Sequence, residues 1–426
     1  MKNSVDANVA NSHRLFELDI LRAVAIIFIV CFHQALFVFK ETYTGIIISS
    51  FMGYLSSLGT GLFFFISGFI LYEKAKKSNV KDYYIRRIIR IFPLYLFGIC
   101  LIVIVNNYSA IGIYLTHFNK IDVLIYVLCL QEIIAPIYKF NEMPALWFVG
   151  VIMIFYLVLP VMVRSENPKD ILLISLGIFL LFVVLRLSFD ILGFRVFSSY
   201  GIFTFGVLAK ASNLFAVNNY GRITFSVIAF IIGSCIVFMH TLTFFSGEGI
   251  LFDQLLIYII VDITSISFCY LAYLISIHLS SSIPCIFIQV IHALAISSYV
   301  AFLIHSPLLN LVMGLLQIHP TGHNILFAYF IGIPIIFIVS YIIQRTELII
   351  ALLFNPHSYV KLLKTRTGDG FYPPPAEPFR TSYPALTIYF IISSKSISRC
   401  ENSFPISILI FLLIPSSLYI SLLVNR

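Results

Sequence analysis

Arg22 and His33 stand eleven residues apart in an apolar run, LDILRAVAIIFIVCFH. Eleven residues of α-helix make almost three turns, so both side chains point the same way, about 16 Å apart along the axis. Asp19 lies three residues before Arg22 on that face, within reach of an ion pair. Histidine titrates near neutral pH and suits proton transfer. A second segment, GTGLFFFISGF over Gly59–Phe69, combines the small residues Gly59, Gly61 and Gly68 with the hydroxyl of Ser67. Small residues at this density let helices approach closely in lipid. A third, YYIRRIIRIFPLY over Tyr83–Tyr95, puts Arg86 and Arg90 on one face with Arg87 beside them. Guanidinium groups bind phosphate by paired hydrogen bonds, and Pro93 kinks the helix that carries them. Plainer readings stay open on spacing alone: interface anchoring for Asp19 and Arg22, packing for Ser67, and topology plus anionic-lipid binding for the arginines.

Further candidates are sparser. Glu132 and Asp262 are acids within apolar stretches, and Trp147 is the only tryptophan. Ser298 and His305, seven apart, share a helix face. His319 and His323 have a metal-binding spacing only if helical, which Pro320 and Gly322 oppose. The chain has no HExxH, GxSxG, phosphate-loop or dinucleotide motif.

The elements that must position these groups are membrane helices. Of 426 residues, 60% are hydrophobic and 11% charged, and the mean hydropathy is +1.00. A soluble chain carries about a quarter charged residues, so a soluble multidomain protein is excluded, as are disorder, collagen and a secreted disulfide scaffold. The seven cysteines include no CxxC pair and read as small apolar residues. Eleven candidate spans follow: 18–39, 46–72, 88–105, 122–138, 145–163, 171–187, a weaker 200–208, 223–245, 255–278, 293–316 and 325–343. Their length without period-two alternation predicts an all-α, polytopic transmembrane bundle of ten or eleven helices. The first run begins after a polar stretch and is long enough to span, so it does not read as a cleavable signal peptide.

The loop Glu73–Arg90 carries seven basic and two acidic residues, which sets that loop and the N-terminus on the cytoplasmic side. The net charge of +8 therefore reports topology rather than a nucleic-acid partner. Residues 1–14 form a cytoplasmic segment and 15–350 the membrane domain. Residues 351–403 read as a polar, proline-rich tail, and 404–426 as a candidate extra span.

Taken together, these segments resemble the acyltransferase-3 family of integral membrane acyltransferases over about Leu15–Ile350. The resemblance rests on Arg22 with His33, FFFISGF around Ser67, RRIIRIFPLY from Arg86 to Tyr95, LWFVGVIMIFYLVLP from Leu146, SSYVAFLIH from Ser297 to His305, and SYIIQRTE from Ser340 to Glu347. It implies transfer of an acyl group, usually acetyl, from cytoplasmic acyl-CoA to a hydroxyl of a surface polysaccharide, lipopolysaccharide or lipid-linked glycan. It implies a multi-pass protein of a bacterial cytoplasmic membrane, with membrane lipids as its other partner. Acetyl-CoA or another acyl-CoA is the donor substrate, with no permanently bound cofactor and no metal. The implied catalytic residues are His33, Arg22, Asp19 and Ser67. Arg86, Arg87, Arg90 and Tyr95 stand on the donor side. Trp147, Ser298, His305 and Glu347 are acceptor-side or structural candidates. Where many members carry acids after the Leu-Trp pair, this chain has Ile152 and Met153. Without the motif set, a transporter or flippase lined by Asp262, Glu132 and Arg186 is the competing reading.

Overall fold

A computed structural model describes residues 16–38, 43–108, 117–143, 145–216, 219–246, 254–315 and 328–354. The expectations for residues 1–14, for His319 and His323, and for the tail beyond residue 354 lie outside them. Twelve α-helices and no strand occur among the described residues. They are α1 (Phe16–Val38), α2 (Tyr43–Lys77), α3 (Val80–Tyr108), α4 (Lys120–Val127), α5 (Gln131–Ile134) and α6 (Trp147–Met162). Then come α7 (Pro168–Phe189), α8 (Phe194–Ala211), α9 (Tyr220–Ser246), α10 (Gln254–Ser282), α11 (Cys285–Leu315) and α12 (Ile333–Phe354). A π-helical turn, Ala328–Gly332, leads into α12. Six of these helices are long and apolar enough to cross a membrane: α2, α3, α7, α9, α10 and α11. Leu173, Leu180 and Leu187 of α7, and Phe225, Ile228 and Ile232 of α9, remain exposed. Helices with all backbone groups satisfied internally and apolar outer faces are what hydrocarbon demands.

Side-chain pairs fix the helix directions. Asp19 meets His292 near the start of both α1 and α11, and His33 meets His305 thirteen to fourteen residues further along each. The two helices therefore run parallel. Glu17 meets Ser280 and Phe28 meets Phe268, so α10 is antiparallel to α1. Phe65 stacks on Phe205 and Lys210 lies over Phe69, so α8 runs parallel to α2. Tyr54 pairs with Ser234 and Phe51 with Phe238, so α9 opposes α2. This pattern requires that α4 and α5 do not cross; with them as a crossing, α11 would oppose α1. Ten helices thus traverse the bundle among the described residues.

The expected span 122–138 is accordingly corrected. The chain there forms α4, a turn and one turn of α5, both on the His33 side of the bundle. Asn119 and Asp122 make a capping box that starts α4. The helix ends in a Schellman-type turn: Leu130 N–H donates to Ile125 O and Cys129 N–H to Tyr126 O, each at 2.9 Å. Cys129 takes the left-handed position, φ 54°, usually filled by glycine. The weak 200–208 run, by contrast, lies within the 18-residue α8. Cys31, Cys100, Cys129, Cys235 and Cys269 are free thiols as expected.

Close packing of α1, α2 and α8 builds the centre. A Cβ on Gly68 would collide with Phe203 O and one on Gly206 with Phe65 O. One on Gly59 would lie 2.7 Å from Ala25 O. Glycine is required at these crossings because backbone faces backbone.

Candidate active site

Two centres lie on the face of α1 that carries Arg22 and His33. At the first, Asp19 is 1% exposed and holds partners from two helices, Arg22 and His292. Arg22 Nη1 donates to Asp19 Oδ1 at 2.8 Å, and His292 Nδ1 lies 3.3 Å from Oδ2. The Asp19–Arg22 pair follows from the three-residue spacing. His292 sits 273 residues away, and no local signal marks it.

Around Arg22 the charge is overwhelmingly positive. Half-buried Lys74 of α2 lies in the field of Arg90, Arg87, Arg22 and Arg86. Arg86 donates through Nη2 to Ser78 Oγ at 2.8 Å and through Nε to Asp82 O at 3.1 Å, which steers its guanidinium along α3. Arg87 is buried against the Tyr83 ring, 5.8 Å from its centroid, and its Nε has no hydrogen-bond partner among the described residues. Five cations from α1, α2 and α3 thus converge where like charges repel, an arrangement suited to a polyanion. Lys74 belongs to this group, although its sequence position marks it only as a loop charge.

Tyr95 does not join them. At about 100° per residue it projects on the side of α3 opposite Arg86. It is fully buried, donates to Tyr126 O at 2.8 Å and accepts from Gln131 Nε2 at 3.3 Å. It braces the broken α4–α5 segment. Ser67 is half-buried on α2 beside the Gly68 crossing, level in depth with the first turn of α1.

The second centre is a cavity of about 320 Å³ between α1, α2, α6, α8, α10 and α11. His33 lines it with Ser57, Thr60, Trp147, Arg195 and Ser198. Three of the hydroxyls donate to their own helices: Ser57 to Tyr54 O, Thr60 to Ser56 O and Ser198 to Arg195 O. Their remaining hydrogen-bonding capacity is as acceptors, which suits a ligand rich in O–H donors. Arg195 stacks over Trp147 at 5.0 Å and bridges Glu132 and Glu142 at 3.2 and 3.1 Å. Burial pushes the Glu132 carboxyl up from its ordinary value, against the pull of the Arg195 guanidinium.

His305 of α11 comes to this centre too, its ring centroid 4.7 Å from that of His33. Ser298 instead hydrogen-bonds Ala295 O of its own helix. Glu347 lies on α12, where only the backbone is described. The three residues of the transporter reading are dispersed. Glu132 holds Arg195, Arg186 pairs with Asp190 at 3.0 Å, and the Asp262 carboxylate packs against Gly201. None of them lines the His33 cavity. No cluster of three or more potential metal ligands occurs among the described residues.

A family model described as an acyltransferase domain, that of acyltransferase-3, matches residues 15–345. The chain belongs to the acyltransferase-3 family. It is a multi-pass membrane protein of that family, and both centres lie inside the matched region. No curated protein and no solved structure matches the chain. As an acyltransferase it needs a donor, an acceptor hydroxyl or equivalent, and a group that handles the acceptor's proton.

Proposed function

We propose that this acyltransferase takes an acyl group, acetyl above all, from cytoplasmic acyl-CoA and delivers it to a hydroxyl of an extracytoplasmic or lipid-linked carbohydrate. It works in a bacterial cytoplasmic membrane, with its N-terminus and the Glu73–Arg90 loop on the cytoplasmic side. One observation carries this reading. A single face of α1 bears Arg22 within a five-cation group at one end and His33 on a hydroxyl-lined cavity at the other. Coenzyme A carries several phosphates that cannot enter hydrocarbon, and paired cations hold them at the bundle end. Its long neutral arm then carries the thioester along α1 toward His33.

In the transfer, the acceptor oxygen attacks the thioester carbonyl. The C–O bond forms, the C–S bond breaks, and the hydroxyl proton passes through His33 to the departing thiolate. In the two-step version of the same chemistry, the acyl group rests on the His33 nitrogen between donor and acceptor. Asp19 orients Arg22, and Trp147 with Arg195 walls the acceptor side.

The test is mass spectrometry of surface glycans from cells with wild-type protein, His33→Ala or Arg22→Ala, with membrane levels matched by blot. The expected result is loss of 42-dalton acetyl increments (from the formula of an acetyl group) in both variants. Normal acetylation with His33→Ala overturns the reading, as does solute movement by the purified protein with no acyl donor present.

A further inference from the structure

His305 is a buried imidazole with half of its hydrogen bonding unused. It is 1% exposed. Its Nδ1 lies 3.0 Å from Ala301 O, an acceptor only, so Nδ1 carries the proton and Nε2 the lone pair. That Nε2 is buried with no hydrogen-bond partner among the described residues. A buried polar atom left unsatisfied is destabilising, so it calls for a role. The neighbouring ring is His33, with centroids 4.7 Å apart and planes at 50°. Phe302 closes on His305 from the same helix at 6.1 Å and also lines the cavity.

From this geometry we infer that His305 is the positioning residue of His33: its Nε2 lone pair accepts the N–H of His33 when the cavity is occupied and so fixes the tautomer in which the other His33 nitrogen faces the acceptor hydroxyl. The inference rests on the proposed role of His33. A base or acyl carrier works only if the correct nitrogen bears its lone pair, and a third group that holds the base sets which nitrogen that is. A backbone carbonyl holds His305 in turn, so the order Ala301 O, His305, His33, acceptor runs across α11 and α1. When His33 takes the hydroxyl proton, its second N–H remains donated to His305. When it returns the proton to the thiolate, the pair is restored, and no net proton is gained or lost.

Two substitutions separate positioning from packing. His305→Asn keeps a donor for Ala301 O at the δ position and removes the ε acceptor. His305→Gln removes the δ donor and keeps an amide oxygen at ε reach. Purified full-length protein in detergent is assayed over a range of acetyl-CoA concentrations with a glycan extract from cells lacking the protein, alongside His33→Ala. Positioning predicts that His305→Asn loses about a hundredfold or more in kcat with the acetyl-CoA KM unchanged, while His305→Gln stays within about tenfold of wild type. A purely structural tether to Ala301 predicts the reverse order, and that result with His33→Ala inactive overturns the inference and leaves the proposed function standing. Full activity in His33→Ala overturns both. Should His305→Asn fail to accumulate, ¹⁵N-histidine NMR of the wild-type protein decides. An unprotonated His305 Nε2 whose shift moves in His33→Ala supports the inference, and a protonated Nε2 overturns it.

Discussion

The imidazole of His292 stands 3.3 Å from Oδ2 of the Asp19 carboxylate, whose Oδ1 accepts from Arg22. α11 thereby grips the first turns of α1, and the Arg22 guanidinium is held from behind by a carboxylate itself held from the side. Truncating a buried, hydrogen-bonded charge costs about 2–5 kcal/mol, much of it from the partners left behind. Asp19→Asn is therefore expected to raise the KM for acyl-CoA by more than tenfold. His292→Ala, at a half-exposed position, is expected to raise it only a few-fold. Initial-rate kinetics on both variants check the order, and an unchanged KM in His292→Ala would show that His292 does not contribute to holding Arg22.

Lys74 gives a prediction with opposite signs for stability and binding. In the empty protein its charge is crowded by Arg90, Arg87, Arg22 and Arg86. Replacing it with methionine keeps the stem and removes the repulsion. Lys74→Met should leave the thermal midpoint of the unliganded protein unchanged or raised. The increase in midpoint that saturating coenzyme A produces in wild type should shrink, because a ligand stabilises only in proportion to its affinity. Thermal unfolding in detergent with and without coenzyme A reads both. A fall in the unliganded midpoint would mean that Lys74 is a structural charge.

Much of this was legible in the sequence, for identifiable reasons. The Arg22–His33 face and the Asp19–Arg22 pair depend only on helical periodicity, so spacing fixes them. The all-α bundle follows from apolar run length. What spacing cannot reach is partnership between distant helices. His292 and His305 come to α1 only because α11 packs parallel to it, and that in turn depends on how many segments cross. The run 122–138 looks like a crossing because its helix stop is Cys129 in a left-handed conformation, without the glycine that would announce it. Tyr95 is close in sequence to the arginines, but it points half a turn of α3 away from Arg86 and donates to Tyr126 O, a partner that spacing does not reveal.

The glycines give a contrast within one residue type. Gly68→Ala and Gly206→Ala each push a methyl group into a backbone carbonyl, Phe203 O and Phe65 O respectively, at the α2–α8 crossing. Overpacking against backbone that cannot yield is expected to cost at least ~2 kcal/mol and to lower the amount of protein in the membrane. Gly177 of α7 has nothing within 4 Å of an added Cβ. Gly177→Ala should be neutral or stabilise by up to ~1 kcal/mol through helix propensity. Midpoints of thermal unfolding for the three variants test the pattern. A loss at Gly177 comparable to that at Gly68 would contradict it.

Arg195 is held at the wall of the His33 cavity by two ion pairs and two aromatic faces. It lies over Trp147 at 5.0 Å and Phe194 at 5.4 Å, and holds Glu132, which is 3% exposed, and Glu142, which is exposed. Removing the cation strands the buried carboxylate, a loss of roughly 3–5 kcal/mol for a broken buried pair. Arg195→Ala should therefore destabilise strongly at pH 8. The effect should diminish as pH falls, because Glu132, already raised toward protonation by burial, takes up a proton once its cation is gone. The sign follows from the protonated form: neutral Glu132 carries no desolvation penalty, so the variant is least stable where the carboxyl is ionised. Adding Glu132→Gln to Arg195→Ala should recover part of the loss at pH 8 and flatten its pH dependence. Unfolding midpoints of the single and double variants between pH 5 and pH 8, against wild type, measure this. A pH-independent loss in Arg195→Ala would assign the stability to the aromatic stacking of Arg195 rather than to Glu132.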